Sequence, residues 1–327
     1  MLAKTMRLLA TAGAGALLAV SSVSAQPENY PSRPITMVIP FPAGGVTDGS
    51  ARLMAKVLGD KLGQPIVIEN YGGASGVIGA QAVLKAKPDG YTILYGTSGP
   101  MVAVQAMMKP PPYDTLKSFV PLYGLTETPM VLVATTSSPY RTLAELIDYA
   151  RKNPGKVNFG SPGLGTSPHL AGELLKSAAN IDMVHVPYKG TAAASADLLG
   201  GNIQLMFDYA QPIAGHVATG KLRPLVLSTS KRLAVAPDIP TATELGYPQV
   251  NLAPWTGLFL PIGTPQAIVD KLVPAVEAAL KDPLVVDNFY KGGNNALNMP
   301  PDKFRKFIES ETPKWRSLIE KSGAVLN

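Results

Sequence analysis

Residues Ile35 to Gly63 read ITMVIPFPAGGVTDGSARLMAKVLGDKLG, and this stretch decides the fold. Ile35–Ile39 is a short apolar run of strand type, and the segment Phe41-Pro-Ala-Gly-Gly-Val-Thr-Asp48 breaks it. Ala51, Leu53, Met54, Val57, Leu58 and Leu62 then recur at helical spacing, with Gly63 where a C-terminal cap belongs. The stretch is therefore one strand, a glycine-rich turn and a helix.

The same grammar continues along the chain. Pro65–Asn70 is a second strand, Tyr71–Gly76 its loop, and Ile78, Ala82, Val83 and Ala86 mark a helix. Pro88-Asp89-Gly90 turns into a strand at Tyr91–Tyr95, followed by Gly96–Pro100 and an apolar helix at 101–108. After Pro129 a second series begins with the strand Met130–Ala134 and a capping box, Thr142 to Glu145, that opens a helix ending near Asn153. Strands at Lys156–Phe159, Met183–Val186 and Ile203–Phe207 each run into a loop: Gly160–Pro168, Pro187–Thr191 and Asp208–Pro212. Trp255–Leu260 makes one more strand, Thr264-Pro265 starts a helix, and a final amphipathic helix follows Pro300-Pro301.

Strands alternating with helices predict an α/β fold with mostly parallel sheets flanked by helices. Two series predict two lobes: residues 26–128 with 254–327 as a discontinuous first lobe, and 129–253 as the second. Two crossing strands join them, and Pro-rich passages near 110–129 and 237–254 hold the crossings. In such folds ligands sit at the carboxyl ends of the strands, where these Gly/Ser/Thr loops fall.

Composition narrows the function. Residues 1–25 read as a cleaved export signal, with Lys4 and Arg7, an apolar run from Leu8 to Val20, and small residues at Val23-Ser24-Ala25. That run is shorter than the ~20 residues a bilayer core needs. The expected location is the periplasm. There is no cysteine, which excludes disulfides, thiolate metal sites and a lipid-bearing Cys. The formal charge of +6 falls by two with the signal, and Lys and Arg form no run, so nothing points to nucleic acid. Three histidines without cysteines make no metal cluster, and no cofactor motif is present.

The loops suit an anion. A Gly-Gly turn ahead of a helix bares backbone N–H groups, and the helix dipole adds positive charge there. Phe41, Ala43, Gly44, Gly45, Thr47 and Asp48 form one such loop; Asp48 either caps its helix or faces the cleft. Ser161, Gly165, Thr166 and Ser167 form a second, which His169 either reaches or ties to its own helix. Tyr188, Lys189, Gly190 and Thr191 form a third; Lys189 either neutralises a carboxylate or is solvated. His185 is expected to pack in the sheet, and His216 at the surface. Tyr71, Tyr188, Tyr209 and Phe41 are candidates for flat apolar walls.

Several segments together resemble the Bug-type solute receptors of tripartite tricarboxylate transporters. They are Tyr30–Ile35 with Phe41–Asp48, Gly72–Gly79, Lys87–Tyr91, Gly165–Leu170 with Glu173, Val186–Gly190, Asp197–Gly201 and Trp255–Pro265, in the right order over nearly the whole mature chain. The resemblance implies a type II periplasmic binding protein fold, two lobes closing over a small organic acid, and delivery to membrane transporter subunits. It implies a carboxylate held by loop amides and ordered water, with Ser75, Gly76, Thr97, Ser98, Asp208 and Tyr209 joining the loops above at the cleft. Tyr71, Ser75 and the segment Asp208–Pro212 depart from the family's usual residues, which leaves the ligand open.

Other readings are weaker. Gly215–Lys221 begins like a P-loop, but Leu222 stands where Ser or Thr would hold magnesium, and a strand follows instead of preceding. An α/β serine hydrolase would need Ser161 or Ser167 beside His169 with a carboxylate behind it. A periplasmic sensor serving a signalling receptor would bind in the same way as a transport receptor. A monomer is the expected state.

Overall fold

The computed structural model describes residues 30–291 and 293–322; the export signal expected at 1–25 lies outside the described residues. The chain runs β1 (Ile35–Ile39), α1 (Val46–Leu62), β2 (Ile66–Asn70), α2 (Val77–Leu84), β3 (Thr92–Thr97), α3 (Val104–Met107), α4 (Thr115–Ser118) and β4 (Phe119–Glu127). It continues with β5 (Met130–Thr135), α5 (Leu143–Lys152), β6 (Asn158–Ser161), α6 (Ser167–Ala179), β7 (Val184–Pro187), α7 (Thr191–Leu199), β8 (Leu205–Tyr209), α8 (Ala210–Ala218) and β9 (Leu222–Leu227). It ends with β10 (Trp255–Pro261), α9 (Gln266–Leu280), α10 (Pro283–Lys291), β11 (Asn295–Met299) and α11 (Pro301–Ser322).

The strands form a six-stranded sheet in the order β11-β4-β10-β3-β1-β2 and a five-stranded sheet in the order β7-β6-β8-β5-β9. The α/β class holds, but the sheets are mixed instead of mostly parallel. β1 pairs parallel with β2 and β3, whereas β10 and β11 run antiparallel to their neighbours. In the second sheet β6 pairs parallel with β7 and β8, and β5 antiparallel with β8 and β9. The strands that border the passages between sheets, β4, β5, β9 and β10, make only antiparallel pairings with other strands.

Local signals explain the elements. Gly63 ends α1 in the left-handed region at φ 68°, as its sequence position predicts. Thr142 accepts a hydrogen bond from the Glu145 N–H at 3.2 Å, and the Glu145 carboxylate accepts one from the Arg141 N–H at 2.6 Å. The helix expected at 101–108 begins earlier, because Gly99–Ala103 winds as a wider π-type turn before α3.

Packing then fixes the layers. Gly124 of β4 and Gly257 of β10 are cross-strand partners, and the ring of Phe304 on α11 fills the notch that they leave. A Cβ at Gly124 would meet that ring at 2.7 Å. Phe304 and Phe307 also meet Trp255 edge-on, with centroids 5.5 and 5.8 Å away. α1 and α9 cover the other face, and α10 packs on both helices. α11 packs on β4 and also on α6 of the second sheet, so one apolar cluster includes residues of both sheets, among them Leu132, Leu170, Trp255, Phe304 and Trp315.

The chain passes from sheet to sheet twice, at 128–129 and over 228–254. The passages lie side by side: Thr128 N–H donates to the Pro254 carbonyl at 2.7 Å. The buried Ser228 hydroxyl accepts from Met130 N–H at 3.0 Å and donates to the Leu252 carbonyl at 3.0 Å.

Candidate functional site

A cleft of about 1050 Å3, counting the open solvent at its mouth, lies between the carboxyl ends of the two sets of strands. Four helices begin at it: α1, α6, α7 and α8, through Gly45, Thr166, Gly190 and Tyr209. None of the four has a hydrogen bond from its N-cap side chain. Away from the cleft, α4 and α5 are capped by Asp114 and Thr142, while α2, α3 and α9 also lack a side-chain cap, so it is the convergence of the four starts that sets the cleft apart. Helix starts keep orphan N–H groups that want an acceptor, and each carries a positive dipole end. Four such starts facing one cleft make a place for a carboxylate without an arginine.

The first loop is held by a network behind it. Asp48 is buried, and its carboxylate accepts from Gly44 N–H, Arg52 Nε and Asn70 Nδ2, each at 2.9 Å. Asn70 also donates to the Phe41 carbonyl at 3.0 Å, and its own Oδ1 accepts from Arg52 at 3.0 Å. Burial pushes the Asp48 pKa up, but the hydrogen bonds from Arg52, Gly44 and Asn70 outweigh it and hold the carboxylate below its usual range. Asp48 borders the cleft, yet its oxygens are committed to fixing the loop. Arg52 and Asn70 carry no motif of their own, so sequence reading had no signal for them.

The second loop is fixed by imidazoles. His169 Nδ1 accepts from Gly165 N–H at 3.0 Å, tying the loop to its own helix. His185 Nε2 meets Ser161 Oγ at 2.7 Å, and the two rings stack with centroids 4.1 Å apart. Burial pushes both pKa values down, to about 3 for His169 and about 4 for His185, so both are neutral. Ser161 is fully buried and sits outside the cleft lining, and its histidine is His185, not His169. No carboxylate hydrogen-bonds either imidazole among the described residues, and the triad that a serine hydrolase requires is not assembled. No group of side chains suited to a metal ion occurs among the described residues.

Of the residues singled out from sequence, Phe41, Ala43, Gly45, Thr47, Asp48, Thr97, Thr166, Ser167, Lys189, Gly190, Thr191 and Tyr209 line the cleft. The others take neighbouring positions. Gly44 borders a second hollow, between the start of α1 and helices α7 and α8, together with Asp208, Ser195 and His216. Asp208 is buried there, with Oδ1 accepting from Tyr209 N–H at 2.8 Å and Oδ2 from Ser195 at 3.4 Å. Burial pushes its pKa up to about 7, with those two hydrogen bonds pulling the other way. Tyr188 turns away to donate to Asp197 at 2.7 Å, and Tyr71 is exposed and bonded to Glu69. Ser75 donates to the Leu164 carbonyl, Ser98 meets Ser167 Oγ at 3.3 Å, and Gly76 packs on Pro40 and Pro100. The contacts of Ser75 and Ser98 join the two sides of the cleft. Gly99 faces Gly165 closely enough that a Cβ would lie 3.6 Å from the Gly165 carbonyl oxygen. Residues that sequence reading missed include Tyr95, Thr126 and Thr256, whose cleft placement depends on strand register.

Comparison with known proteins gives the family and the overall fold. Residues 50–324 match the family described as the tripartite tricarboxylate transporter family receptor. BugT of Bordetella pertussis is 38% identical over 323 residues, covering 98% of each chain. A Rhodopseudomonas palustris structure with adipate is 34% identical with a TM-score of 0.86, covering 91% of this chain and 100% of that one. MatC of the same organism, with bound malate, is 34% identical with a TM-score of 0.84, covering 89% and 100%. By this match and these relatives, the chain belongs to the tripartite tricarboxylate transporter family of receptors.

Proposed function

We propose that this protein is an extracytoplasmic solute-binding receptor that closes two lobes, residues 26–128 with 254–327 and residues 129–253, over a small organic acid. The observation that carries it is the convergence of four helix starts, none capped by its N-cap side chain, on one cleft. The ligand carboxylate accepts hydrogen bonds from these loops, and the two sides move about the paired passages at Thr128 and Pro254. Adipate and malate in the relatives support the class of ligand. Family membership supports delivery to the membrane subunits of a tripartite transporter, from the periplasm. No helix among the described residues is long and apolar enough to cross a membrane.

The test is thermal melting of purified protein, stripped by unfolding and refolding, against mono-, di- and tricarboxylates, aromatic acids, amino acids and neutral sugars. A ligand at about a hundred times its Kd adds about 2.7 kcal/mol, a rise of roughly 5–10 °C at ~2–4 °C per kcal/mol. A rise confined to acids is expected; a rise with sugars alone overturns the reading. Loss of uptake on deletion of the gene separates a transport receptor from a sensor.

A further inference from the structure

Thr97 of β3, Thr256 of β10 and Thr126 of β4 are successive cross-strand partners, so their side chains form one row across three strands. Thr126 and Thr256 share a hydrogen bond at 2.8 Å. Tyr95 precedes Thr97 by two positions and shares its face of the sheet. All four residues line the cleft. Tyr95 is fully buried, and its hydroxyl lies beside Thr256 with no partner in hydrogen-bond geometry.

A buried hydroxyl without a partner is destabilising and is uncommon in folded proteins. Here it stands in a cleft wall, beside the three strand-borne hydroxyls of the threonine row, where a ligand atom can complete it. The wall is uncharged: among the described residues that line the cleft, only Asp48 and Lys189 bear charge, and both lie on other loops. Glu127, next to Thr126, feels Glu311 and Lys314, which are not among the cleft-lining residues. A second carboxylate against this wall would be desolvated without a cation, whereas a carbonyl oxygen would gain a donor.

We infer that Tyr95 and the threonine row form a second subsite, which takes an uncharged oxygen, the carbonyl of an amide or ketone, at the end of the ligand remote from its carboxylate. The assignment rests on the receptor reading above. Tyr95 Oη donates to that oxygen, and the threonine hydroxyls accept from an amide N–H or donate in turn. The helix starts then recognise what makes the ligand an acid, and the strand wall recognises what distinguishes one acid from another.

Titration calorimetry on purified full-chain protein tests this with alkanoates from butanoate to heptanoate, their ω-amides and the dicarboxylates of equal length. At the best length, the ω-amide should bind at least about tenfold more tightly than the alkanoate. In Tyr95→Phe the ratio of the two affinities should fall towards one. Because the hydroxyl lies beside Thr256 without a partner in hydrogen-bond geometry, ligand-free Tyr95→Phe should melt at the wild-type temperature or above it, a result that a structural role would not give. Tyr140 carries another buried, unpartnered hydroxyl but does not line the cleft, so Tyr140→Phe should keep the wild-type ratio. Equal affinities for amide and alkanoate, an unchanged ratio in Tyr95→Phe, or tighter binding of the dicarboxylate at every length overturns the subsite and leaves the receptor reading intact. Absence of binding by every acid overturns both.

Discussion

Asp48 and Asp208 are both buried beside the cleft, one behind a first-sheet loop and one at the end of a second-sheet strand, and their surroundings drive them apart. Asp48 receives three hydrogen bonds at 2.9 Å, one of them from a guanidinium, and stays ionised. Asp208 has a backbone N–H and a long contact to Ser195, and its pKa rises to about 7. Burial alone therefore does not set the charge of a carboxylate; the number and kind of donors does. The first wall of the cleft is fixed by a committed anion, while the second carries a group that titrates near neutrality.

The largest effect expected from breaking this contrast is at Asp208. Its pKa is higher folded than unfolded, so stability is fully present below about pH 4 and declines as pH rises towards 7. Asp208→Asn removes that decline and should be more stable than wild type at about pH 8, by on the order of 2–4 kcal/mol, with little difference at about pH 4. Melting curves across pH decide it; parallel curves for the two proteins would refute it.

The opposite sign is expected at Asp48. Asp48→Ala strands the Gly44 N–H, Arg52 and Asn70, and should cost about 2 kcal/mol near neutrality. A depressed pKa contributes stability that disappears as pH falls through it, so the difference between wild type and variant should shrink in acid. Urea unfolding at two pH values measures this.

The histidine pair sharpens the comparison from the second wall. Both pKa values are lower folded than unfolded, so stability should fall as pH drops below about 6.5, against the trend set by Asp208. In Asp208→Asn the acid-side loss should be steeper than in wild type, since the opposing term is gone. The smallest effect concerns capping. Thr142→Ala should cost about 1 kcal/mol and leave ligand affinity unchanged, because α5 begins away from the cleft.

The parallel β-loop-α units were legible because period-two and helical spacings alternate cleanly through Ile35–Gly63 and its repeats. Strand direction was not, because an apolar run carries no sign of the direction of its partner, and β5 and β10 read like parallel strands. β4 and β11 gave no strand signal: Pro121 and Gly124 interrupt the first, and Asn295–Met299 is half polar. At the site, glycine-rich loops announced the helix starts. Which way a loop side chain turns is set by a single local partner, as Asp197 does for Tyr188 and Gly165 for His169. Tyr95, Thr126 and Thr256 were invisible for a third reason: they become neighbours only once three strands are in register.

The two passages between sheets share one backbone hydrogen bond, from Thr128 to Pro254, while the facing rims touch through Ser75, Ser98 and Gly99. If the two sides move as proposed, the paired passages are the fulcrum, and the rim contacts at Ser75, Ser98 and Gly99 are those that must part before a solute can enter or leave.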